Sequence, residues 1–101
     1  MKRPRKTVEC KDGFSMSVQA DEMKYCLPRK NDVIYASAEV GYPSHYDFFL
    51  QPFAEDPRRP TDTVYGYVPA HIIRLCIESH GGMTAGELPP FTEDAWNGEL
   101  E

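Results

Sequence analysis

Cys76 and His80 stand four residues apart in "CIESHGG", close enough to share chemistry. Residues i and i+4 lie on one face of a helix, so the thiol and the imidazole can point toward a common centre. A zinc ion would ask for three or four such ligands, and Cys10 and Cys26 are the remaining soft donors, which makes a Cys3His count. Neither belongs to a closely spaced cysteine pair, so the fold would have to gather three separate segments. A nucleophilic cysteine would need an exposed thiolate, a base within hydrogen-bond reach and an oxyanion donor. Cys76 falls on an isoleucine face, where burial favours the neutral, inert thiol. The expectation is therefore a core cysteine beside a histidine that interacts with the C-terminal end of the helix dipole. No metal, cofactor or catalytic residue is assigned.

Other residue groups offer recognition chemistry. In "DPRRPTD", Arg58 and Arg59 sit on a loop stiffened by Pro57 and Pro60, and two guanidinium groups there can clamp a carboxylate or phosphate. The competing reading is a solvated turn balanced by Glu55, Asp56 and Asp62. In "TVYGYV", Tyr65 and Tyr67 share one strand face, with Tyr35 as a possible neighbour, and form an aromatic patch suited to protein contact. Trp96, alone in an acidic segment, can anchor into a groove. Adjacent acids such as Asp21 and Glu22, Glu55 and Asp56, or Glu93 and Asp94 fall in turns and lack the paired environments that acid/base catalysis needs. Neither P-loop, dinucleotide fingerprint, HExxH nor CxxC is present.

These groups must be held by a small scaffold. The 101 residues suffice for one domain, burying about 60–65% of the unfolded surface. "TVECKDGFSMSVQA" reads as a β-hairpin turning at Lys11, Asp12 and Gly13, with Phe14, Met16, Val18 and Ala20 on the core side. In "VIYASAEVGYP", alternation puts Ile34, Ala36, Ala38 and Val40 on one face and Tyr35, Ser37 and Glu39 on the other. "HYDFFLQPF" admits either a strand carrying Tyr46, Phe48 and Leu50 or a helical turn, and Pro52 places it at an edge or an ending. Val64, Gly66 and Val68 make the inner side of a further strand, where Gly66 marks a bulge or a close approach. From Pro69 to His80 the period becomes helical, with Ile72, Ile73, Cys76 and Ile77 inward and Gly81 as the stop. The expected fold is α+β, a three- or four-stranded, mainly antiparallel sheet packed against one C-terminal helix. Residues 1–6 read as a flexible basic arm, 7–82 as the single domain and 83–101 as an acidic tail, partly disordered or docked.

Composition narrows the partners. The net charge of -5 opposes a phosphate backbone, so nucleic acid is disfavoured despite the basic first eleven residues. No apolar run reaches the about 18–20 residues that cross a bilayer, and no secretory signal follows the basic start, so a cytoplasmic location without a membrane is expected. Cys10, Cys26 and Cys76 cannot all pair within one chain and read as free thiols of a reducing compartment.

"VECKDGFSMSVQA", "EVGYPS", "AEDP" and "TVYGYVP", spread from about Val8 to Gly82, together resemble small accessory proteins of tailed bacteriophages and prophages. The resemblance brings no catalytic residues. It implies a protein made inside an infected bacterium that modulates a host protein. The resulting expectation is a non-enzymatic protein-binding accessory protein, with a bacterial host protein or self-association as its partner. A structural, self-associating phage protein and a zinc-stabilised nucleic-acid-binding module are the alternatives.

Overall fold

The computed structural model describes residues 3–92. Strands β1 (Val8–Cys10) and β2 (Ser15–Gln19) form the antiparallel hairpin that the Asp-Gly turn predicts, with Val8 opposite Met16. Gly13 adopts φ +97° in that turn, a left-handed backbone open to a residue without Cβ. Phe14, Met16, Val18 and Ala20 all face inward and are buried, as the two-residue period of a strand requires.

Strand β3 (Ser37–Gly41) pairs with β2, and β4 (Val64–Pro69) pairs with β3. Helix α1 (Ala70–Ser79) follows without a loop, Pro69 serving as its N-cap at φ -59°. Ile73, Cys76 and Ile77 enter the core, whereas Ile72 is only partly buried at its margin. Fully burying an isoleucine contributes about 1.5–3 kcal/mol, so this short helix holds to the sheet mainly through two such side chains. Gly81, at φ +91°, ends it, and the Gly82 N–H donates to the Ile77 carbonyl at 3.0 Å.

The sheet has five strands rather than three or four, in the order β4-β3-β2-β1-β5 and antiparallel throughout. The additional strand, β5 (Met83–Ala85), has no buried residue and therefore no apolar alternation to reveal it; pairing with Glu9 and Cys10 of β1 holds it in place. The chain then crosses the core, where Leu88 and Phe91 are partly buried. Tyr35 N–H donates to the Pro90 carbonyl at 2.8 Å and Thr92 N–H to the Tyr35 carbonyl at 3.0 Å. Residues 83–92 thus complete the sheet and its cover, past the boundary expected at Gly82. In "HYDFFLQPF" the helical alternative forms, as a turn ending in a 3-10 helix at Gln51–Phe53; Leu50 is buried while Tyr46 and Phe48 are exposed.

Residues 3–6, expected as a flexible arm, are tied down. Arg5 N–H donates to Gln19 Oε1 and its guanidinium to the Ala20 carbonyl, both at 2.9 Å. The Arg3 guanidinium donates to both oxygens of Glu87 at 2.9 and 3.0 Å, and the Lys6 N–H adds a third bond at 2.8 Å. These bonds, that of Arg3 foremost and that of Lys6 next, hold the Glu87 carboxyl at about 2 against an ordinary 4.5. A carboxylate with a depressed folded pKa contributes stability above its unfolded value and loses it as pH falls through the folded one. Between pH 4.5 and about 2 the clasp is therefore expected to open, with faster exchange of the Lys6 amide. Following the Glu87 carboxyl by NMR checks this: a midpoint near 4.5 would mean that the clasp does not form in solution.

Candidate functional site

His80, the C-cap of α1, stands at the junction of three segments. Its Nδ1 is 2.7 Å from Asp12 Oδ2 in the β1–β2 turn, and its Nε2 is 2.7 Å from Asp47 Oδ2. Only an imidazolium can donate at both nitrogens to two carboxylates. Burial opposes that charge, but the hydrogen bonds to Asp12 and Asp47 outweigh it, and the pKa of His80 is raised above 6.5. The C-terminal end of α1 favours the same charge. The Phe14 ring stacks on the imidazole, centroids 3.9 Å apart and planes within 7°.

Each carboxylate is positioned locally. Asp47 Oδ1 accepts the N–H groups of Phe49 and Leu50 at 2.9 and 3.1 Å, capping the turn that follows, which leaves Oδ2 for the histidine. Asp12 Oδ1 accepts the Phe14 N–H at 2.9 Å; that bond, followed by the one from His80, lowers its pKa. The Asp47 side chain is only 4% exposed, whereas that of Asp12 is 50% exposed.

Cys76, one helical turn before His80, has no exposed surface. Burial first, and then the neighbouring Asp47 carboxylate, push its thiol far up. Both imidazole nitrogens face carboxylates, so neither is available to take the thiol proton. In this arrangement the cysteine and histidine do not form a nucleophile and base. They form, with Asp47, a set of thiol, imidazole and carboxylate donor atoms within 4.8 Å of one another. The Cys3His set suggested by the sequence does not assemble: Cys26 Sγ lies 3.2 and 3.4 Å from the carbonyls of Asp21 and Pro28, and Cys10 is buried outside the cluster.

The aromatic surface differs from the expected one. Two steps along β3, from Ala38 to Val40, match three along β4, from Val68 back to Tyr65, so β4 carries a bulge at Gly66–Tyr67. The extra residue shifts the alternation. Tyr65 turns into the core beside Val68, fully buried, with its hydroxyl on the Pro60 carbonyl. Tyr67 alone faces out. Tyr35 is also buried, its hydroxyl donating to the Lys30 carbonyl at 2.6 Å, because pairing with residues 90–92 turns it inward and Ile34 outward. Tyr35 and Tyr65 are thereby removed as surface residues. Arg58 and Arg59 stay exposed and pair locally, with Asp56 and Asp62. Trp96 lies outside the described residues.

In place of the missing tyrosines, Tyr25 joins Tyr67. The two rings are tilted at 36° with centroids 5.9 Å apart, and the Arg29 guanidinium carbon lies 5.5 Å from the centre of the Tyr25 ring. The Tyr67 N–H donates to the Tyr25 carbonyl at 2.9 Å, and Gly66 lies beneath Tyr25, with room for no more than a tight Cβ at 3.2 Å. Tyr25 and Arg29 carry no periodic signal in "KYCLPRK". Asp47 was detectable only as an aspartate heading a short apolar turn, a capping pattern. Among the described residues, no helix is long and apolar enough to cross a membrane. No protein-family model, curated protein or solved structure matches the chain.

Proposed function

We propose that the chain is a non-enzymatic protein-binding protein whose contact surface is centred on Tyr25, Tyr67 and Arg29. The observation that carries this reading is the backbone of Tyr67, a bulky residue held at φ +55°. Such a conformation costs an L-residue about 1–2 kcal/mol, and strain of this kind is retained where it serves a site. Here it sets an aromatic ring at the surface beside a second ring and a guanidinium. Tyrosine and arginine are the residue types that dominate binding energy at protein interfaces. The matching partner presents an apolar or aromatic side chain to the tyrosines and a carboxylate to Arg29.

The resemblance to phage and prophage accessory proteins makes that partner a protein of the bacterial host, met in its cytoplasm. Self-association is the second reading, favoured by another exposed aromatic group, Tyr42, Tyr46 and Phe48, on the chain between β3 and β4. Two different apolar surfaces on one molecule suit head-to-tail contact between copies. A base-stacking role is less well supported, since two rings make a small platform and the net charge of -5 opposes a phosphate backbone.

Tyr25→Ser with Tyr67→Ser is the test. Host proteins retained by the immobilised wild-type chain should be lost from the double variant, which keeps its melting temperature, and kept by Arg58→Ala with Arg59→Ala. Loss of two such anchors is expected to weaken the complex at least about thirtyfold, the effect of a single interface hot spot worth about 2 kcal/mol. Equal retention by wild type and the tyrosine variant would remove this surface from the function. Concentration-dependent sedimentation that the same substitutions abolish would select self-association instead.

A further inference from the structure

We propose that Asp47, Cys76 and His80 form a binding site for one divalent transition-metal ion of the zinc class. The inference is independent of the tyrosine surface and rests on the convergence of three unlike donors. The Asp47 carboxylate, Cys76 Sγ and an imidazole nitrogen of His80 lie within 4.8 Å of one another. Around a tetrahedral zinc ion with bonds of about 2.0–2.3 Å, such donors stand about 3.3–3.6 Å apart. The Nε2 to Oδ2 separation of 2.7 Å needs to widen by about 0.6 Å, and the sulfur, no more than 4.8 Å from the other donors, needs to close by at most about 1.3 Å, to reach that geometry.

The surroundings are those of ligands held in place. Asp47 is fixed through Oδ1 by the Phe49 and Leu50 N–H groups and presents Oδ2. Cys76 is fixed by α1 and fully buried. The His80 ring is clamped between the Phe14 face and Asp12, whose Oδ2 holds Nδ1 at 2.7 Å while Nε2 meets Asp47 Oδ2. A carboxylate on the far nitrogen is the usual second partner of a metal-bound histidine; it fixes the ring and raises its basicity. Asp12 is therefore the positioning residue of the site.

The donor types select the ion. Thiolate with imidazole and carboxylate suits zinc or cobalt, whereas magnesium and calcium take oxygen ligands. On binding, the ion replaces two protons, that of His80 Nε2 and that of Cys76 Sγ, which leave to solvent. The thiolate and the Asp47 carboxylate then balance its double charge. Three protein donors leave one tetrahedral position for water or an exogenous ligand.

Cobalt titration of the 101-residue chain tests the site. One Co2+ per chain is expected, with a thiolate-to-cobalt charge-transfer band and the visible bands of a tetrahedral ion, both removed by competing Zn2+. Cys26→Ser should keep these bands and Cys76→Ser should lose the charge-transfer band. Because Cys76→Ser buries a hydroxyl and puts the fold at risk, Asp12→Asn, at a half-exposed position, supplies the second readout. It should weaken cobalt binding about 10–100-fold without moving the bands. A wild-type chain with no charge-transfer band, a band that survives Cys76→Ser or vanishes in Cys26→Ser, or an unchanged affinity in Asp12→Asn would each overturn the assignment.

Discussion

Asp47→Ala is expected to lower the unfolding free energy of the metal-free protein by about 3–5 kcal/mol, the range for removing one partner of a buried charge pair. Two losses combine. At pH 5, below the ordinary histidine value of 6.5 and with Asp12 still on Nδ1, the ring stays an imidazolium whose Nε2–H faces a cavity, and the N–H groups of Phe49 and Leu50 lose the oxygen that caps them. A cap alone is typically worth about 1 kcal/mol, so most of the effect comes from the stranded cation. A domain of this kind has only about 5–15 kcal/mol to lose. Urea unfolding at this pH in the presence of a chelator measures the change without any contribution from a bound ion.

Asp12→Ala provides the contrast, because its carboxylate reaches the same ring from a position half in water. An exposed pair contributes about 0–1 kcal/mol, and the loss of Asp12 should stay near that range. Asp47→Ala made in a His80→Ala background should likewise cost less than in wild type, since the stranded charge is gone. If Asp47→Ala were no more damaging than Asp12→Ala, His80 would not be the charged centre of this junction.

The difference between these two aspartates also explains what could be read in the sequence. Asp12 belongs to an Asp-Gly turn whose hairpin is announced by local chemistry, and Cys76 and His80 are related by helical spacing; all three could be placed in advance. Asp47 lies in an irregular stretch, distant in sequence from both, and only the tertiary fold brings it to the ring. The strand faces show the same division. Period two puts Phe14, Met16, Val18 and Ala20 correctly in the core because β2 is regular. It misplaces Tyr65, because the bulge inserts one residue, and Tyr35, because residues 90–92 pair with it. Neither cause is local. Strand β5 was illegible for a related reason: its residues are all exposed, and its existence depends on what it pairs with.

That dependence makes Gly86 the most sensitive point at this edge. The residue follows β5 at φ +109°, a backbone that L-residues rarely adopt, and a Cβ built there would stand 2.3 Å from the Thr7 carbonyl oxygen and 2.6 Å from Val8 Cα. Both atoms belong to the backbone leading into β1, so no side-chain rotation relieves the collision. Gly86→Ala must push β5 away from β1, breaking the Glu9–Ala85 pairing and the bond from Glu87 N–H to the Lys6 carbonyl at 3.1 Å. A loss of about 2–4 kcal/mol is expected, combining residue strain with the lost edge of the sheet. Gly82→Ala isolates the first part: at φ +98° it meets the same conformational restriction, but no atom lies within 4 Å of its Cβ. Its cost should fall near the lower end of the about 1–3 kcal/mol that a strained backbone residue carries. The excess of Gly86→Ala over Gly82→Ala in urea unfolding therefore measures the close approach of β5 to β1. Equal costs would mean that β5 and the segment after it do not hold to the sheet in solution, and the Arg3–Glu87 clasp would lose its foundation with them.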